Sequence, residues 1–199
     1  MRFEGKHAVL TGGASGIGAE TLRKLQEQGA RVTVLDRADC PDADQGIVVD
    51  MGDLGAINRA IQKIHAPVDM LFNIAGIPPR ADNGALVLAV NLFGLRHLTL
   101  ALMPQLADAA PIVNMASMAG AAWPQNIDEV KTLLSMPNDS DPAAALAALR
   151  RSAGGGGNRG GGGAAGSWSD SCSCSASCSS SASASASSTC ASASSAAAS

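Results

Sequence analysis

At 199 residues the chain has room for one domain or one and a half, and its formal charge of −3 argues against an electrostatic hold on nucleic acid or acidic membranes. The 46% of hydrophobic residues overstates the capacity for a core, because alanine and cysteine are counted in it and crowd the carboxyl-terminal part. No basic leader precedes an apolar run, and no apolar stretch approaches the roughly 18 residues of a membrane span, so a cytoplasmic protein is expected.

From residue 7 onward, short apolar runs alternate with segments of helical spacing. "HAVL" (7–10) reads as a buried strand, followed by a glycine-rich turn and a helix over about 17–28 that ends at Gly29. "RVTVLD" (31–36) and "GIVVD" (46–50) are strands rich in β-branched residues, and "LGAINRAIQKI" (54–64) repeats apolar residues at helical intervals. "VDMLFNIAG" (68–76) is a fourth strand, "ALVLAVNLFGLRHLTLALMPQL" (85–106) a long apolar helix, and "PIVNMAS" (111–117) a fifth strand. Strands alternating with helices predict right-handed crossovers and a parallel sheet covered on both faces, which is a doubly wound α/β fold of Rossmann type.

Beyond Ser117 the alternation stops. "NIDEVKTLLSM" (126–136) and "DPAAALAALRR" (141–151) read as helices, the second capped by Asp141 with Pro142 in its first turn. Residues 1–151 therefore form the predicted domain. Residues 152–199 turn to glycine, then to serine, alanine and cysteine, and predict a disordered tail that cannot offset its ordering entropy. Cys172, Cys174, Cys178 and Cys190 lie there, leaving Cys40 alone in the front half, so neither a disulfide framework nor a zinc pattern is expected.

"TGGASGIG" (11–18) lies between a predicted strand and a predicted helix. Gly12 permits a tight turn, Gly16 close approach of a pyrophosphate, and Gly18 close packing of helix on strand; the helix N-terminus then faces the phosphates. Such a loop can also be purely structural. Asp36 ends the second strand about 20 residues on, where a carboxylate binds adenosine ribose hydroxyls and repels a 2′-phosphate. NAD is favoured over NADP on that ground, although Arg37 next to it would suit NADP; the lesser alternative for Asp36 is a solvated strand end.

These residues resemble the cofactor loop of the short-chain dehydrogenase/reductase family, and further signposts follow in order. By the resemblance, Ser15 and Ile17 join the glycines at the cofactor, and Asp50 and Met51 of "VVDM" touch adenine. Asn73, Ala75 and Gly76 belong to "NIAG", which departs from the family's NNAG at Ile74. Asn91 of "VNLFG" would help hold a proton-relay water, and Ser117 of "IVNMASMAG" would be the catalytic serine. Read without the resemblance, Asn91 is a polar residue in an apolar helix and Ser117 a small residue closing a strand. "SMAGAAWPQNIDEVKTLL" is similar to the branch holding bacterial hydroxysteroid and coniferyl alcohol dehydrogenases, in which an insertion follows the serine. Trp123 reads as a core or loop anchor, Lys131 as a solvated helix residue, and His65 and His97 as structural.

The family's chemistry also needs a tyrosine with a lysine four residues later, and this chain has 0 tyrosines. Val130 stands at the common spacing, and "GGGNRGGGGAA" at the longer one. The expectation is a truncated or frameshifted dehydrogenase of small alcohols or carbonyls, inactive as it stands. Its uncovered helix face would favour self-association. A non-catalytic dinucleotide-binding module and a misframed product without function are the other readings.

Overall fold

The computed structural model describes residues 2–154. Five parallel strands, β1 (His7–Thr11), β2 (Arg31–Asp36), β3 (Gln45–Val48), β4 (Met70–Asn73) and β5 (Ile112–Asn114), lie in the order β3-β2-β1-β4-β5. β1 is central, with Val9 beside both Thr33 and Leu71. Every residue of β1 is buried because successive side chains point into different layers. Ala8 and Leu10 meet Leu22 and Leu25 of helix α1 (Gly16–Glu27). Val9 faces the other core, built with Ile57 of α2 (Leu54–Ile61) and with Leu98 and Leu102 of α4 (Leu95–Leu102). The doubly wound reading of the sequence is the fold observed.

Between β4 and β5 the expected single α-helix is broken up. Helix α3 (Gly84–Leu88) runs into a π-helical segment, Ala89–Gly94, then α4, then a 3-10 turn, Met103–Gln105. Widened turns of this kind relieve a packing conflict that a regular helix would face. Here a Cβ on Gly94 would lie 1.8 Å from the carbonyl oxygen of Met51, so this helix touches the backbone after β3 without an intervening side chain. The whole run Gly84–Gln105 is also long and apolar enough to cross a membrane, which corrects the expectation that no stretch of the chain is. In this fold Phe93, Leu98 and Leu102 are buried core residues.

After β5 the chain passes through a 3-10 segment, Met118–Asn126, into α5 (Ile127–Ser135) and α6 (Pro142–Gly154). The amide of Ala144 donates to Asp141 Oδ2 at 2.8 Å, the cap expected there, but the helix continues three residues past Arg151, to Gly154. Arg96 of α4 secures the end of α5: its guanidinium donates to the carbonyls of Met136 and Pro137 at 3.0 and 3.1 Å and, through Nε, to Asn138 Oδ1 at 2.7 Å. A cation at the carbonyl end of a helix is favoured by the helix dipole as well as by these bonds. Part of the α4 surface is therefore covered by the insertion rather than left open. Trp123 is 55% exposed, so the expected core anchor is not one. The reading of a disordered tail lies, from residue 155 onward, outside the described residues.

Candidate active site

A cleft of about 430 Å³ opens at the carboxyl ends of β1, β2 and β4. The glycine loop builds one side. Gly12 has φ +76° and a Cβ there would meet the Ala75 backbone at 2.8 Å, so only glycine lets β1 turn beside the loop after β4. Gly18 sits so tightly on Gly12 that a Cβ would come within 1.8 Å of its carbonyl oxygen. Gly16 has φ +55° with open space where a Cβ would be, and Ser15, Gly16 and Ile17 are exposed on the cleft. The α1 N-terminus thus presents backbone N–H groups to an open cavity, an arrangement suited to an anion.

Asp36 and Arg37 form the far end with Asp50 and Met51. Asp36 does more than border the cavity. Its Oδ2 accepts from the Ala14 amide at 3.0 Å and its Oδ1 from the Ala38 amide at 3.0 Å, so one carboxylate ties the glycine loop to the end of β2. Each oxygen keeps a further lone-pair direction for a hydroxyl donor. Asp50 Oδ1 accepts from the Gly52 amide at 2.8 Å, and Met51 is buried against the helix that carries Gly94. Cys40 is buried and its Sγ lies 3.7 Å from the Gly13 carbonyl; burial pushes the thiol's pKa up, which suits a packed rather than a reactive cysteine.

The third side is the segment after β4. Ala75 and Gly76 line the cleft as read from the sequence, joined by Ile74 and Ile77. Thr11, which carried no role in the sequence, holds this segment: its Oγ1 accepts from the amides of Ile74 and Ala75, each at 3.0 Å. Asn91 holds the other end, with Nδ2 donating to the Ile77 carbonyl and Oδ1 accepting from its amide, both at 2.9 Å. Both functional atoms of that amide are engaged by backbone. Val49, Val90 and Met115 complete the lining; nothing in their residue types marks them, since apolar strand and helix residues read simply as core.

Three expected site residues lie off the cavity wall. Asn73 is 1% exposed, its side chain turned into the interior rather than toward the cleft. Asn91 acts on the loop, not on the cavity. Ser117 lies three residues beyond the end of β5, exposed, with its carbonyl accepting from the Gly120 amide at 3.0 Å. Met115, two residues before it, lines the cleft.

Among known proteins, the family model for short chain dehydrogenase matches residues 6–127. Coniferyl-alcohol dehydrogenase of a Pseudomonas species is 38% identical over 148 residues, 73% of this chain and 57% of that protein. Momilactone A synthase of Oryza sativa subsp. japonica is 34% identical over 146 residues, 60% of this chain and 53% of its own. A crystal structure of 3-alpha-hydroxysteroid dehydrogenase from Pseudomonas sp. B-0831 complexed with NADH superposes with a TM-score of 0.59 at 26% identity, covering 74% of this chain and 57% of that one. The chain thus spans a little over half the length of these relatives.

Proposed function

The chain belongs to the short-chain dehydrogenase family of oxidoreductases, and from that premise we propose that it binds NAD in preference to NADP and does not turn over substrate as it stands. The observation that carries the cofactor reading is the placement of Asp36. Its carboxylate stands on the cleft at the end of β2, linked to the glycine loop through Ala14. A ribose bearing two hydroxyls can donate to it, whereas a 2′-phosphate would meet like charge. Gly16 suits close backbone approach of a bound dinucleotide, because open space lies beside it on the cleft, while Gly12 and Gly18 let β1, the loop after β4 and α1 pack closely behind it. Calorimetric titration of the full chain should give an affinity for NAD about tenfold or more above that for NADP, the worth of one charged contact. Tighter NADP binding would transfer the site to Arg37.

We propose as substrate an alcohol or its carbonyl counterpart, aromatic or steroidal, a reading that the family and the names of the coniferyl-alcohol and hydroxysteroid relatives support. Bound NAD supplies the acceptor for the hydride that leaves the carbinol carbon. In this reading Ser117 would donate to the substrate oxygen, and Asn91 would fix the cleft wall at Ile77. The hydroxyl proton must still pass to a base, and the chain has 0 tyrosines. Its last lysine, Lys131, is exposed on α5. Loss of a positioned acid–base group lowers rates by about 10²–10⁴. The proposal also includes self-association, since Leu100 and Met103 at the end of α4 and Ile112 and Val113 of β5 remain exposed apolar residues.

A further inference from the structure

We infer that Thr99 and Asn114 are positioning residues that set one wall of the cleft through the buried amide of Asn73. The inference rests on the cofactor reading given above only for its affinity readout. Asn73 Nδ2 donates to Thr99 Oγ1 at 3.1 Å and to Asn114 Oδ1 at 2.8 Å, so both of its N–H bonds are engaged. Its Oδ1 is buried without a hydrogen-bond partner among the described residues. The two donated bonds therefore provide the side chain's polar hold in an interior site where an unmatched group is costly.

The direction of each bond is fixed. Thr99 Oγ1 donates to the Leu95 carbonyl at 2.8 Å, so toward Asn73 the hydroxyl can only accept. Asn114 presents its carbonyl oxygen, which also can only accept. An amide turned over at Asn73 would set oxygen against oxygen at both contacts. One orientation is left, and it joins α4, β4 and β5.

That junction lies at the base of the cleft wall. Asn73 is the last residue of β4, and its carbonyl accepts from the Met115 amide at 2.9 Å, binding it to the strand that leads to Ser117. The next residues, Ile74 to Ile77, line the cleft. Thr99 stands eight residues beyond Asn91 on the same helical run, and each reaches the chain at or just after β4. Asn91 thus fixes the end of the wall at Ile77, and Thr99 its root at Asn73. Neither Thr99 nor Asn114 lines the cavity; the route from Thr99 to it runs through Asn73, and Asn114 also adjoins Met115 of the lining.

The test uses the full chain with two readouts: NADH affinity from the change in its fluorescence, and hydrogen exchange at the amides of Ile74, Ala75 and Ile77. Thr99→Val keeps the shape and removes the acceptor; it should weaken NADH about fivefold, the worth of one buried hydrogen bond, and speed exchange at those amides. Thr99→Ser should restore both. Asn114→Leu should act like Thr99→Val, while Asn114→Asp, which retains the acceptor, should not. In an Asn73→Ala background Thr99→Val should add nothing, because the effect has lost its route. Additive losses would overturn the inference. So would unchanged exchange in Thr99→Val, the decisive comparison should Asn73→Ala fail to fold. Exchange needs no cofactor: the stated exchange pattern in a chain that does not bind NADH supports the positioning role and contradicts the cofactor reading.

Discussion

At the scale of single residues, buried polar groups do more of the organising than the charged surface. His7 is 4% exposed at the start of the central strand, with Nε2 2.8 Å from Thr33 Oγ1 and Nδ1 3.2 Å from the Pro67 carbonyl. Burial lowers its pKa below the ordinary 6.5, outweighing the Pro67 carbonyl, which favours the charged form; Arg31 adds to the lowering. Asp69 at the same end is held below the usual carboxylate range, first by the His7 amide and then by the Lys6 ammonium. Both lowered values make the unfolded chain the stronger proton binder, so their stabilisation is present above the unfolded pKa and is lost as pH falls through the folded one. Melting temperature should therefore decline as pH falls below the ordinary histidine value of 6.5, and again in the acid range of Asp69. His7→Gln should flatten the upper part of that decline, measured by circular dichroism. A wild-type melting temperature constant through pH 5 would contradict this account of His7. The places of the glycines, Asp36 and Asp50 on the cleft were legible in the sequence because each stands at a fixed distance after a strand. Thr11, Thr99 and Asn114 were not, since a threonine or asparagine in an apolar run gives no sign of which backbone it will meet.

Elements were legible wherever local periodicity and burial agree. The five strands and the helices α1, α2, α5 and α6 were placed within a few residues, because each is a regular element whose local pattern matches its burial. The helical run between β4 and β5 was placed as closely, at Gly84–Gln105, but its internal breaks were not legible, as they answer to tertiary contacts. Gly94 must clear the Met51 carbonyl, and Asn91 must reach Ile77, and a uniform apolar pattern records neither. Gly94→Ala puts a carbon where backbone oxygen stands, and with no flexible side chain to yield, the helix and the Met51 wall must move apart. A loss of about 1–3 kcal/mol is expected from such overpacking, together with weaker NADH binding. Gly120→Ala, with open space at its Cβ position, should leave the melting temperature unchanged. Equal effects of the two substitutions would contradict the close-contact role of Gly94.

At the scale of the molecule, the described residues hold a complete two-sided core around β1 but end the sheet at β5, each of whose residues is exposed. An edge strand carrying Ile112 and Val113 is a template for pairing or apolar contact. Sedimentation of the full chain should show mass rising with concentration, and Val113→Lys should reduce it; a monomer at all concentrations would contradict the proposed self-association. The expectation that α4 lies open was right only in part, because Arg96 draws the insertion over it, a contact between residues about 40 apart that no sequence window contains. The central claim is that the chain holds a nicotinamide cofactor yet lacks the proton relay to use it. Its most direct test mixes NADH with the full chain, then adds an aromatic aldehyde or a ketosteroid, and follows the NADH emission throughout. The account predicts a change of emission on binding that then persists after the carbonyl is added. No change on mixing, or a decay after the carbonyl that Ser117→Ala abolishes, would contradict it.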